Sequence, residues 1–208
     1  MTGIYGAAVL VVLGYLVGAL PFGLLIGRVA GGVDLREHGS GRIGATNALR
    51  TIGPAGAVLT FLLDLAKGVI AVLLVGWWYV AGPPASPPWV AAAVGIAAVA
   101  GHIRSVFIGF HGGRGVATFA GTMLATVPWA VAIVVPVGLL IIWRWRFVSL
   151  GSLVGVALAP IVTAVLVPLG QATWAGFALA LGGAALVTVA HSDNIDRLRA
   201  GTERRLGR

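Results

Sequence analysis

Gly39-Ser40-Gly41, followed by Gly44-Ala45-Thr46-Asn47 and closing on Arg50, gathers three glycines around a serine and ends on a planar cation. Glycines at 39, 41 and 44 leave backbone N–H groups accessible. Ser40, Thr46 and Asn47 add neutral donors, and Arg50 adds a guanidinium. Such a set suits a phosphate cradle. A Gly-rich turn with helix caps accounts for the same residues without a ligand. No GxxxxGK[ST] pattern is present, so this is not a P-loop. Gly112-Gly113-Arg114-Gly115 places a second cation on glycine-rich backbone just before an apolar run, a second anion site at a helix N-terminus. Arg104, Arg144 and Arg146 read instead as interfacial anchors. Ser149 and Ser152 open another apolar run, where serine also serves as an ordinary cap. His191 and Asn194 are three apart and share a helix face. His191 is a candidate base or phosphate donor. His102 reads as structural, and His38 and His111 as solvated.

The elements that must carry these residues are set by composition. Of 208 residues, 59% are hydrophobic and 10% charged, and mean hydropathy is +1.01. A soluble domain of this length cannot cover that much apolar surface, so the solvent is lipid. Polar residues in lipid are costly and mark function. They cluster in four segments: Val33–Arg50, Gly101–Thr118, Arg144–Ser152 and His191–Arg208. The chain has no cysteine, and its four histidines form no HxxxH or HExxH pattern, so no metal is expected. The net charge of +8 fits loops that face anionic headgroups. No basic–aromatic patch is large enough for a duplex, so nucleic acid is not an expected partner. The N-terminus lacks a charged n-region and a cleavage site, so Ile4–Val29 reads as a retained span.

The expected fold is all-α: a single domain over residues 1–208, a polytopic membrane helix bundle. Apolar runs cover Ile4–Val29, Ala55–Val80, Trp89–Ala100 with extension, Val116–Trp143, Phe147–Val167 and Thr173–Ala190. The uncharged Gly82–Pro88 loop suits the outer side. If Val116–Trp143 crosses once, Arg144, Arg146 and the basic tail fall outside. If it is a hairpin of two short helices turning near Thr126-Val127-Pro128, every basic loop falls inside, as the positive-inside rule prefers. That gives about seven helices, N-terminus out and C-terminus in. All four polar segments then meet at the cytoplasmic face. Asp64 and Lys67 stand at helical spacing inside the second run. They read as a structural pair or as Lys67 reaching toward the polar site, with a proton or ion path as the alternative.

The motifs, in order along nearly the whole chain, resemble the bacterial acyl-phosphate-dependent glycerol-3-phosphate acyltransferases, the PlsY family. They are Leu20-Pro21-Phe22-Gly23; Gly39-Ser40-Gly41 with Ile43-Gly44-Ala45-Thr46-Asn47 and Arg50; Asp64 with Lys67-Gly68; Gly101-His102; Gly112-Gly113-Arg114-Gly115; Ser149-Leu150-Gly151-Ser152; and His191 with Asn194, Arg197 and Gly201-Thr202-Glu203. The resemblance implies a seven-helix enzyme of the bacterial plasma membrane. It would transfer a fatty acyl group from acyl phosphate to the 1-hydroxyl of sn-glycerol 3-phosphate, with no cofactor. It implies substrate-site roles for Ser40, Arg50, Arg114, His191 and Asn194, and for either Ser149 or Ser152. Position 42 departs from the family pattern, with Arg where Asn is usual, and Arg114 stands where Lys is common.

The residues suit that chemistry. Two anionic phosphates require two cations and many N–H donors. Acyl phosphate is already activated, and no GxSxG elbow is present. Direct transfer by positioning and electrostatic stabilisation is expected, with His191 or a substrate phosphate oxygen assisting proton removal. The rival readings are a diverged paralogue and a small anion transporter with Asp64–Lys67 as a relay.

Overall fold

The computed structural model describes residues 2–80 and 88–207; most of the Gly82–Pro88 loop lies outside them. Among the described residues nine α-helices follow in order: α1 Thr2–Ala19, α2 Phe22–Gly31, α3 Ala45–Val80, α4 Pro88–Ile103, α5 Val116–Thr126, α6 Pro128–Trp145, α7 Val148–Leu166, α8 Trp174–Ala190 and α9 Ser192–Arg199. No strand occurs among the described residues. Among the described residues five segments are long and apolar enough to cross a membrane, with α1 and α2 taken together as Tyr5–Gly31. The number is six if α8 and α9, bent by 62°, count as one.

Both ends of the Val116–Arg146 segment meet α9 and the chain after it. Arg114 bonds Asp193 at 2.7 Å, and Ser149 bonds Glu203 at 3.0 Å. The segment between them must therefore double back, and it does so at Val127. Pro128 sits at the first turn of α6, where its missing N–H costs nothing. The halves are unequal, unlike the two short helices expected from sequence. The leading helix, α5, has 11 residues, whereas α6 has 18 and spans alone.

Two further breaks depart from the sequence reading. The first run is not one helix: it stops at Ala19 and restarts at Phe22 across Pro21. The freed carbonyls are satisfied, Ala19 by the Ser105 hydroxyl at 2.6 Å and Leu20 by Lys67 Nζ at 2.8 Å. The second run starts ten residues earlier than expected, at Ala45, and kinks at Gly53, whose φ of 80° and ψ of −176° only glycine tolerates. Thr46, Asn47 and Arg50 thus sit on a short helical stretch ahead of the main span, not in a loop.

Close approach holds the bundle together. A Cβ at Gly18, Gly101, Gly68 or Gly121 would meet a neighbouring helix backbone, the small-residue contact by which helices associate in lipid. The largest core cluster joins α4, α5, α7 and α8 through Val99, Phe119, Val156 and Leu179.

Candidate active site

The four polar segments meet at one end of the bundle, around a cavity of about 480 Å³. Its head is polar: Ser40, Arg50, Arg114, Ser152, His191 and Asn194 line it. The rest runs apolar between α5, α6 and α7, from Ile142 and Gly151 past Val134 and Gly155 down to Ala130 and Ala159. Five guanidinium groups (Arg42, Arg50, Arg114, Arg197 and Arg204) and three carboxylates (Asp64, Asp193 and Glu203) line the cavity, and Asp64 is offset by Lys67 at 2.7 Å. An anion entering it meets a surplus of three positive charges.

Each charged group has a definite hold. Arg114 is delivered by the loop before α5 and donates to Asp193 Oδ2 at 2.7 Å. Burial pushes the Arg114 pKa down while Asp193 opposes this; a guanidinium remains charged throughout. Asp193 also accepts from Arg197 at 3.0 Å. Burial raises its carboxyl, but Arg114 and Arg197 outweigh that and hold it below the usual range. Arg197 Nε reaches Glu203 at 2.8 Å, and Glu203 Oε1 accepts from Ser149 at 3.0 Å and Asn194 at 2.8 Å. Glu203 therefore fastens the start of α7 to α9. Buried Arg114 Nε, Asp193 Oδ1 and Asn194 Oδ1 have no partner within the protein. They are polar atoms left for a ligand.

His191 is not on a continuous helix face with Asn194. It caps α8, and Asn194 lies in the first turn of α9 beyond the 62° bend. Its Nδ1 lies 2.8 Å from the Val187 carbonyl. A carbonyl only accepts, so Nδ1 carries the proton and Nε2 is an acceptor. Burial pushes the His191 pKa down to about 4; the Val187 bond opposes this and Arg114 adds to it. The ring is neutral at physiological pH.

Several glycine-loop residues serve differently from the expected N–H cradle. The Ser40 N–H donates to Asn47 Oδ1 at 2.9 Å and the Gly41 N–H to the His38 carbonyl at 3.0 Å. Gly41 does not line the cavity. Asn47 Nδ2 holds the carbonyls of Leu35, His38 and Arg42 at 2.8, 3.0 and 2.8 Å. Asn47 borders the cavity, but its polar atoms are engaged in folding the loop. Gly39, at φ 60°, has no room for a Cβ against Asn47 Oδ1. What remains for an anion here is the Ser40 hydroxyl, Arg50 and the N-terminal turn of α3 at Gly44, Ala45 and Thr46. Gly112 and Gly113 also lie behind the cavity. Their N–H groups donate to Ile103 and His102 carbonyls at 3.1 Å each, and a Cβ on either would strike His102. They pin the loop so that Arg114 and Gly115 face inward. Ser149 and Ser152 both line the cavity.

Asp64 and Lys67 form a buried pair at 2.7 Å, with His102 Nδ1 3.5 Å from the same Asp64 oxygen. Lys67 reaches the Leu20 carbonyl and does not line the cavity, whereas Asp64 and His102 do.

Residues 8–201 match the glycerol-3-phosphate acyltransferase family. The chain belongs to that family. A glycerol-3-phosphate acyltransferase of Halalkalibacterium halodurans is 42% identical over 96% of this chain and 95% of its own length. One of Geobacter sulfurreducens is 41% identical over 95% of this chain and 96% of its own. The fold matches the crystal structure of PlsY (YgiH), an integral membrane glycerol 3-phosphate acyltransferase in its glycerol 3-phosphate form, with a TM-score of 0.85 and 38% identity. The match covers 97% of this chain and 96% of that one. The lysophosphatidic acid form matches with a TM-score of 0.83. The chain is accordingly an integral membrane acyltransferase.

In this family member, sequence reasoning gave no role to Asp193, Arg197 or Arg204 and none of the apolar lining. Asp193 and Arg197 carry a usable signal, the i,i+4 spacing of opposite charges. The apolar lining carries none, because in so apolar a chain a groove valine looks like a core valine.

Proposed function

We propose that this glycerol-3-phosphate acyltransferase takes its acyl group from acyl phosphate. It would pass it to the 1-hydroxyl of sn-glycerol 3-phosphate, giving lysophosphatidic acid and inorganic phosphate. One observation carries this reading: a single cavity joins a cationic head to an apolar groove between α5, α6 and α7. An acyl phosphate is a phosphate on an apolar chain, and the product is another.

The residues divide the work. Arg114, the α3 N-terminus and Arg50 bind the two phosphates and stabilise charge as the donor phosphate departs. Ser40, Ser152 and Asn194 add neutral donors and acceptors beside them. His191 Nε2 accepts a hydrogen bond from the acceptor hydroxyl and orients its oxygen toward the acyl carbon. The new C–O ester bond forms as the acyl carbon–phosphate oxygen bond breaks. The phosphate leaves with that electron pair and takes the hydroxyl proton, directly or through His191. No acyl-enzyme is needed, since the donor is already activated. The whole chain acts as one domain. The polar end faces the bacterial cytoplasm, as the basic residues gathered there favour. With that orientation the hairpin of α5 and α6 gives seven passes, N-terminus out and C-terminus in.

The test is phosphate release from palmitoyl phosphate by protein in lipid nanodiscs, with and without glycerol 3-phosphate, and with palmitoyl-CoA as the contrasting donor. Release that needs both acyl phosphate and acceptor is expected. Acyl-CoA as the better donor would overturn the donor assignment.

A further inference from the structure

The apolar groove has an end. On α7 the lining residues run from Val148 to Ala159, and on α6 from Ile142 to Ala130. At 1.5 Å per residue these are about 16 and 18 Å of helix. The next buried residues on these helices, Thr163 and Val127, do not line the cavity. At the bottom stand Ala130, Ala159 and Met123, which are 1%, 4% and 2% exposed and belong to the main core cluster. The side wall differs. Phe61, Val135 and Leu139 line the cavity yet are 43%, 40% and 59% exposed. A chain can therefore enter sideways from lipid along this wall, but its tip meets a closed, packed floor.

We propose that Ala130, Ala159 and Met123 are the acyl-length ruler of this enzyme. The inference rests on the reading that the cavity takes an acyl phosphate. The hydrocarbon core of a bilayer is about 30 Å thick, so the chain of an ordinary membrane lipid spans about 15 Å. The groove has the same length, and it fits such a chain with its carbonyl carbon at His191 and its methyl end on the floor. The floor residues are small or flexible, so their size sets the depth. Gly155 and Gly138 line the groove halfway down. A Cβ at Gly138 would press on the Gly151 carbonyl oxygen at 3.1 Å, whereas one at Gly155 would make only ordinary contact, with Val134 at 3.5 Å.

Each buried methylene contributes about fourfold in binding. Filling the floor with Ala159→Leu removes room for about three of them. The experiment measures kcat/KM in nanodiscs with decanoyl, palmitoyl and arachidoyl phosphate at saturating glycerol 3-phosphate. Ala159→Leu should lower the palmitoyl-to-decanoyl ratio at least tenfold. Met123→Ala, which deepens the groove without overpacking it, should raise the arachidoyl-to-palmitoyl ratio severalfold. Ratios unchanged in Met123→Ala, with wild type active on palmitoyl phosphate, would overturn the ruler while leaving the acyltransferase reading intact. Wild type inactive on all three donors would overturn that reading, and the ruler with it.

Discussion

Arg114 is held by Asp193 through one nitrogen, Nη2, at 2.7 Å, while its buried Nε faces no protein partner. The guanidinium is aimed but not saturated. One edge is anchored and another is left for an incoming oxygen. Arg114→Ala should cut kcat/KM by at least a hundredfold, the scale of a lost transition-state charge contact. Arg114→Lys keeps the charge but loses the fork, and should fall between the two. Asp193→Asn should weaken the aim more than the charge, raising KM for glycerol 3-phosphate more than it lowers kcat. Steady-state kinetics with both substrates varied separate these outcomes. Full activity in Arg114→Ala would remove it from the site.

His191 gives a pH signature of known sign. Its folded pKa is depressed to about 4 from 6.5. Below pH 6.5 the unfolded chain binds a proton that the folded chain refuses until about pH 4. The stability contributed by neutral His191 is thus fully present above 6.5 and is lost as pH falls toward 4. The midpoint of thermal unfolding should drop across that window in the wild type, and drop less in His191→Asn. A slope unchanged by the substitution would mean that His191 is not the group responsible. Activity near pH 6.5 should show no imidazole titration that His191→Asn removes.

Much of this site could be read from the sequence because lipid makes polar residues conspicuous. Ser40, Arg50, Arg114, His191 and Asn194 stand out from an apolar chain, and all line the one cavity. The fold-back at Val127–Pro128 could be read for a similar reason, since proline and the basic loops both demanded it. Hydrogen-bond use could not be read. Nothing in the spacing of Gly39, Gly41, Gly112 and Gly113 says whether an N–H faces a ligand or a carbonyl. Here Gly41, Gly112 and Gly113 face His38, Ile103 and His102. Glu203 was equally hidden. Its three partners lie on α7 and α9, and only the tertiary fold brings Ser149 across 54 positions to meet it.

Asn47 is the residue on which the first loop depends. It bonds four backbone groups, from Leu35 to Arg42, and sits almost wholly buried. Asn47→Ala leaves the Ser40 N–H and three carbonyls without it, at about 1–3 kcal/mol for each group that stays buried. Asn47→Asp keeps an acceptor for Ser40 but turns a carboxylate on three carbonyls, and should be no better. Both variants should lose activity at least tenfold. Amide exchange at Ser40 and Gly41 should quicken, while α7 and α8 stay protected. Unchanged exchange alongside lost activity would mean that Asn47 acts on substrate directly.

Asp64 and Lys67 test whether buried charge in this bundle is structure or a proton path. Lys67 Nζ is shared between Asp64 at 2.7 Å and the Leu20 carbonyl at 2.8 Å, where α1 breaks before α2. A cation at a helix C-terminus is favourable, and its counter-charge is one turn away. Asp64→Asn leaves Lys67 buried without a full counter-charge, and should cost about 3–5 kcal/mol. Replacing both, as Asp64→Leu with Lys67→Met, removes the uncompensated charge and should recover most of that loss. The remainder reflects the unpaired Leu20 carbonyl and the freed His102. Thermal stability in lipid and phosphate release should recover together in the double variant if the pair only braces α1, α3 and α4. Restored stability with turnover still abolished would show that a titratable group is needed there, and the structural reading of the pair would fail.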